Sequence, residues 1–120
     1  FAWIVNSEDG LDEISPYDKT NVVQLKNGQL SEISIYPKEL NINAEKFENL
    51  LGDDAKFNAS KMIEIFKGKD NDFSKAVCLN AAAGLIVDEK YDKFKDAYDY
   101  SRKHILSGKT YEHLKIIQNV

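Results

Sequence analysis

Apolar residues are distributed in two regimes along this chain. The first is strand-like. Ala2 to Val5 form an unbroken apolar run, after which Asn6-Ser7-Glu8-Asp9-Gly10 turns polar. Unbroken runs suit strands covered on both faces, as in a parallel α/β sheet, and that is the expectation for this segment. Gly10 permits a positive φ in the turn that follows. Residues 21–25 and 30–36 give two further strand candidates, separated by Lys26-Asn27-Gly28-Gln29. Asn-Gly is a strong hairpin signal, because both residues tolerate positive φ. A two-residue loop there pairs Leu25 with Leu30, and Ile33 and Ile35 alternate with polar neighbours as a half-buried strand requires.

After Pro37 the spacing turns helical. Pro37-Lys38-Glu39-Leu40 suits a short helical turn with proline at its first position. Asp53 or Asp54 can cap a helix whose apolar residues are Ala55, Ala59, Met62, Ile63 and Phe66. Gly68 follows, where a helix end favours a left-handed residue. Asp72 can cap a second helix, residues 73–87, which is apolar nearly all round and so expected to be buried. Tyr91, Phe94, Tyr98, Ser101 and Ile105 mark a third helix ending at Gly108. Thr110 can cap a last short helix carrying Tyr111, Leu114 and Ile117.

Three strands, two of them a hairpin, are therefore followed by three to four helices. The fold class is α/β. Three strands are few to cover so apolar a helix as residues 73–87, which suggests that partner strands lie elsewhere in the protein. The chain also opens inside an apolar run, without an initiator methionine or a polar lead-in. The expectation is a single partial domain over residues 1–120, the carboxy-terminal part of a larger mixed-sheet domain, with an amino-terminal portion upstream.

Composition narrows the function classes. A chain that is 42% hydrophobic with a formal net charge of −4 folds rather than remaining disordered. The same charge disfavours general nucleic-acid binding, which needs a basic stripe. Arg102 is the only arginine, so a bidentate phosphate clamp is not built within this chain. Cys78 is the only cysteine, which excludes an intrachain disulfide and fits a small core residue in a reducing cytoplasm. No apolar stretch is long enough to span a membrane.

The segment Glu8-Asp9-Gly10-Leu11-Asp12-Glu13 carries the best candidate chemistry. It follows a strand directly, and ligands in α/β sheets bind beyond the carboxyl ends of strands. Clustered loop carboxylates supply the hard oxygen donors that Mg²⁺ prefers. The competing reading is a solvated acidic turn, with Asp9 or Asp12 bonded to nearby backbone amides.

The run Ala2-Trp3-Ile4-Val5-Asn6-Ser7-Glu8-Asp9-Gly10-Leu11-Asp12-Glu13-Ile14-Ser15 resembles the anthranilate phosphoribosyltransferase segment containing V-H-G-x-D-G-L-D-E-I-S. Gly52-Asp53-Asp54-Ala55 with Asn58-Ala59 is similar to that family's G-G-D-A-x-x-N-A. Val77-Cys78-Leu79-Asn80-Ala81-Ala82 is similar to its V-x-L-N-A-A, and Ser107-Gly108-Lys109 with Leu114 to its S-G-K-A-x-x-x-L. The four motifs occur in family order across essentially the whole chain. The resemblance implies transfer of phosphoribose from phosphoribosyl pyrophosphate to anthranilate in tryptophan biosynthesis, by direct displacement without a nucleophilic catalyst. It implies Mg²⁺ as cofactor, held by Asp12 and Glu13 near the pyrophosphate. It implies a cytoplasmic enzyme, compatible with a homodimer when complete.

Two departures qualify the implication. Asn6-Ser7 stands where the family usually has His-Gly. The family's glycine-rich pyrophosphate loop, lysine-bearing segment and anthranilate-contacting helical domain have no counterpart here, and the six glycines are isolated. The expectation is a fragment inactive alone. The alternatives are a fragment of a related nucleoside phosphorylase and a non-enzymatic interaction domain. Asn80 and Asn58 are expected to serve structure, His104 and His113 to lie at or near the surface, and the Tyr91, Phe94 and Tyr98 stripe to be core.

Overall fold

The structure, a computed structural model, describes residues 1–119; Val120, included in the expected domain, lies outside them. Strands β1 (Ala2–Ser7), β2 (Thr20–Lys26) and β3 (Gln29–Ile35) come first. Two single turns of 3-10 helix, Pro37–Leu40 and Phe47–Leu50, lead to helices α1 (Ala55–Phe66), α2 (Asp72–Val87), α3 (Phe94–Leu106) and α4 (Lys109–Gln118). This is the mixed α/β order that the pattern predicts, with one hairpin and four helices.

The hairpin forms at the expected residues. Leu25 faces Leu30 and Lys26 faces Gln29. Asn27 and Gly28 turn the chain with φ of 52° and 76°, the left-handed pair that matches strand twist. The three strands run antiparallel in the order β1-β2-β3.

The first strand, expected in a parallel sheet, pairs antiparallel with β2. Within this chain β1 is an antiparallel edge strand, and the helices cover one face of the sheet only. Val22 and Ile35 are buried on that face, with Trp3 and Val5 packed beside them. On the other face Ile4 and Leu30 are each 73% exposed. An apolar run places hydrophobic residues on both faces of a strand and does not say what lies over each.

Helix α2 is the centre of the core. Leu79, Ala82 and Ile86 pack with Ile14, Val22 and Tyr98, and its small residues let α3 approach closely. Cys78 is buried in this cluster, and burial pushes its thiol up to about 11, so it stays a neutral packing residue as the pattern implies. Phe94 and Tyr98 belong to the core or pack on it. Tyr91 lies just before α3 rather than within it.

Helix starts confirm one assignment and move two. Asp54 caps α1, accepting the Phe57 amide at 2.7 Å. Asn71, not Asp72, caps α2, in a reciprocal capping box with Ser74. Gly108, with φ of 77°, occupies the position before α4; Thr110 therefore lies inside the helix, and its hydroxyl has no partner among the described residues.

Freed from capping, Asp72 turns inward and ties three segments together. It is 4% exposed. One oxygen accepts the Glu45 amide at 2.9 Å, Asn49 Nδ2 at 2.9 Å and the Tyr17 hydroxyl at 3.1 Å. The other accepts Lys75 Nζ at 2.8 Å. Burial alone would raise its pKa, but these donors, led by Lys75 and Asn49, outweigh it and hold the carboxyl well below the usual range.

Candidate functional site

Residues 8–19 leave β1 and return to β2 as a loop folded back on itself. The Ser7 amide donates to Leu11 O at 2.9 Å, and the Glu8 amide to Lys19 O at 2.9 Å. Gly10 sits in the bend with φ of 93°, a conformation open to glycine without strain.

Asp9 braces the loop from inside. Its carboxylate accepts the Leu11 amide at 3.2 Å and the Ser15 hydroxyl at 2.5 Å. Partial burial pushes its pKa up, but hydrogen bonds from Ser15, Ser7 and backbone amides leave it below its ordinary value. Ser15 Oγ also accepts the Tyr17 amide at 2.9 Å, and the Ser15 amide donates to Thr20 Oγ1 at 3.1 Å. The alternative of a carboxylate bonded to a nearby amide therefore describes Asp9 correctly.

Asn80, on α2, fastens the far end of the loop. Its Oδ1 accepts the Ile14 amide at 3.0 Å, and its Nδ2 donates to Ile14 O at 3.2 Å and to Ala76 O at 2.9 Å. Ile14 is fully buried beside it.

Asp12 and Glu13 lie between these two anchors, and both are exposed. Glu8 is paired with Lys19 at 2.5 Å. Neither Asp12 nor Glu13 enters an ion pair among the described residues, and Glu13 Oε2 is 3.5 Å from Asn80 Nδ2. Two adjacent carboxylates are thus left open on a loop that is held from within.

The donor chemistry fits Mg²⁺. No group of three or more His, Cys, Asp and Glu side chains among the described residues is arranged to share a metal ion. A pair of carboxylates is nonetheless what Mg²⁺ commonly takes from a protein when waters and substrate phosphates complete its shell.

The other candidates serve structure or solvent. Asn58 bonds back to the Asp53 backbone, accepting its amide at 3.1 Å and donating to its carbonyl at 2.9 Å. A Cβ at Gly52 would stand 2.8 Å from Asn58 Oδ1, so any larger residue there would have to displace that side chain from its bonds to Asp53. His104 and His113 are exposed. Arg102 is paired with Asp70.

Sequence reasoning placed Asp12 and Glu13 in the loop and offered Asp9 as a brace for it, but did not foresee the tie from Asn80 to Ile14. The Asp9-to-Leu11 spacing is a local signal that an Asx turn would give. The tie from Asn80 spans 66 residues of sequence and has no local signature.

With this geometry established, comparison with known proteins decides the family. The pattern of the glycosyl transferase family, a/b domain, matches residues 1–111. The chain belongs to this family. It is 78% identical over 120 residues to the anthranilate phosphoribosyltransferase of Pelagibacter ubique, covering all of this chain and 36% of that protein. The crystal structure of anthranilate phosphoribosyltransferase from Thermus thermophilus superposes with a TM-score of 0.84 at 26% identity, covering 95% of this chain and 33% of that one. The Saccharomyces cerevisiae enzyme in complex with PRPP and Mg shares the fold, with a TM-score of 0.81 at 23% identity, over 94% of this chain and 33% of that one. The chain thus spans about a third of the length of the relatives it matches. No helix among its described residues is long and apolar enough to cross a membrane.

Proposed function

We propose that the chain is the carboxy-terminal part of the α/β domain of a cytoplasmic anthranilate phosphoribosyltransferase, and that Asp12 and Glu13 hold its magnesium ion. The observation that carries this reading is the contrast within one loop. Asp9 is consumed by hydrogen bonds from Ser15 and Leu11, whereas Asp12 and Glu13 are exposed, and the one side-chain contact between them and the rest of the described residues is a long one, from Asn80 Nδ2 to Glu13 at 3.5 Å. The likeness to enzymes of that name supports the substrates, phosphoribosyl pyrophosphate and anthranilate, and a place in tryptophan biosynthesis.

When bound, a magnesium ion would stabilise negative charge on the departing pyrophosphate. Asp12 and Glu13 would contribute its protein oxygens. Asp9, Ser15 and Asn80 keep the loop from collapsing onto those carboxylates. The remaining work is positioning of the two substrates, which falls to the part of the protein outside these residues. For that reason the 120 residues alone have no transferase activity.

The test is Asp12→Asn/Glu13→Gln in the complete protein, assayed by loss of anthranilate fluorescence across a magnesium titration. The expected result is a drop in turnover of at least about 100-fold, or a steep rise in the magnesium needed, with folding retained. An unchanged magnesium dependence would remove the assignment.

A further inference from the structure

Asn80, midway along α2, reaches from the helix to the acidic loop and bonds both polar backbone groups of a single residue. Its carboxamide accepts the Ile14 amide and donates to the Ile14 carbonyl, at 3.0 and 3.2 Å. This is the two-point contact that a neighbouring strand would make. The Ile14 amide belongs to the peptide joining Glu13 to Ile14, so the bond to Asn80 fixes the rotation of the backbone on the C-terminal side of Glu13. The same Nδ2 stands 3.5 Å from Glu13 Oε2, placing that carboxylate on the side of the loop that faces α2. A third contact, to Ala76 O at 2.9 Å one helical turn back, stops the amide from rotating away.

A purely structural role is the alternative. A polar residue within an apolar helix could simply be satisfying itself. Two features argue otherwise. Ile14 is anchored independently by complete burial, and Ser15 is held by Thr20. The segment after Glu13 would therefore stay docked without Asn80. What the carboxamide adds is the orientation of one peptide, next to the exposed acidic pair.

We infer that Asn80 is a positioning residue for the metal site, latching the Glu13–Ile14 peptide so that Asp12 and Glu13 present their oxygens together. The inference rests on the reading of Asp12 and Glu13 as the metal ligands. Partners that orient a metal ligand typically change metal affinity by about 10- to 100-fold when removed. Loss of the latch therefore weakens divalent-cation binding about tenfold.

The experiment measures Mn²⁺ binding to the complete protein by the electron paramagnetic resonance of free Mn²⁺, without substrates or turnover. Four variants are compared with the unaltered protein: Asn80→Leu, Asn80→Ser, Asp12→Asn/Glu13→Gln, and Asn80→Ser combined with the loop pair. Leucine keeps the volume and removes every hydrogen bond. Serine can return to the Ala76 carbonyl, satisfying its own helix, but is too short to reach Ile14; it keeps the test available if the leucine variant fails to fold. The expected result is Mn²⁺ binding weakened about tenfold in both Asn80 variants, with no added loss when Asn80→Ser joins the loop pair. Unaltered Mn²⁺ affinity in the folded Asn80 variants, alongside a weakened loop pair, would overturn the latch and leave the metal assignment standing. Unaltered affinity in the loop pair itself would overturn both.

Discussion

Replacing Asp72 with asparagine removes a charge from the most heavily bonded carboxylate among the described residues, and its consequence follows from the four donors around it. Asparagine keeps the shape. Its single oxygen can serve the Glu45 amide, Asn49 Nδ2 and the Tyr17 hydroxyl, which all meet one oxygen of Asp72. The bond to Lys75 cannot survive, because an NH₂ group would then face an ammonium. Lys75 also donates to Asn43 O at 2.6 Å and can turn further toward water, which limits its loss. Charge-assisted hydrogen bonds contribute roughly twice what neutral ones do, about 1.5–3 against 0.5–1.5 kcal/mol. Weakening the set and losing one member should destabilise the chain by about 2–3 kcal/mol at neutral pH. The pH dependence is a sharper check. The folded carboxyl lies well below the usual range, so its contribution is fully present above the unfolded value, near 3.9, and is lost as pH falls through the depressed folded value. Urea denaturation of both proteins, followed by circular dichroism between pH 7 and pH 3, should show a gap that is widest at pH 7 and shrinks below about pH 4. A gap under about 0.5 kcal/mol at pH 7, or one that does not change with pH, would refute the reasoning.

Gly68→Ala should destabilise the chain by about 1–3 kcal/mol in the same assay, because Gly68 has φ of 100° and an added Cβ would meet Leu106 O at 2.7 Å. Neither strain can be relieved by moving a side chain, so a neutral result would show that the α1–α2 connection is more pliant than its geometry implies. The isolated 120-residue chain should neither turn over anthranilate nor bind phosphoribosyl pyrophosphate tightly in the presence of Mg²⁺. Tight saturable binding by calorimetry would show that the substrate site lies within these residues.

How far the sequence carried depended on the range of the interactions involved. The Asn27-Gly28 turn was legible because its demand for two positive-φ residues is met by adjacent letters. So was α1, whose Asp54 cap lies three residues from the amide it accepts. The start of α2 was displaced by one residue, because Asn71 and Asp72 are both good caps and only the fold shows that Asp72 is needed at Tyr17, Asn49 and Glu45. Gly108 was read as the end of α3 but also begins α4, since one left-handed residue can serve both tasks; Thr110 was then superfluous as a cap. The open face of β1 could not be foreseen from Ala2 to Val5, because burial depends on what the rest of the protein places there. The acidic loop was visible as a composition, and Asp12 and Glu13 were singled out by resemblance. Their separation from Asp9 became clear only when Ser15 and Asn80 were seen to engage the rest of the loop.

The central claim concerns two oxygen donors, and the most direct measurement is a crystal structure of the complete protein with Mg²⁺ and phosphoribosyl pyrophosphate. The account predicts a magnesium ion with a carboxylate oxygen of Asp12 or Glu13, or of both, at about 2.1 Å, its remaining positions filled by water and phosphate oxygens. A magnesium ion bound to the pyrophosphate with Asp12 and Glu13 both turned to solvent would contradict it.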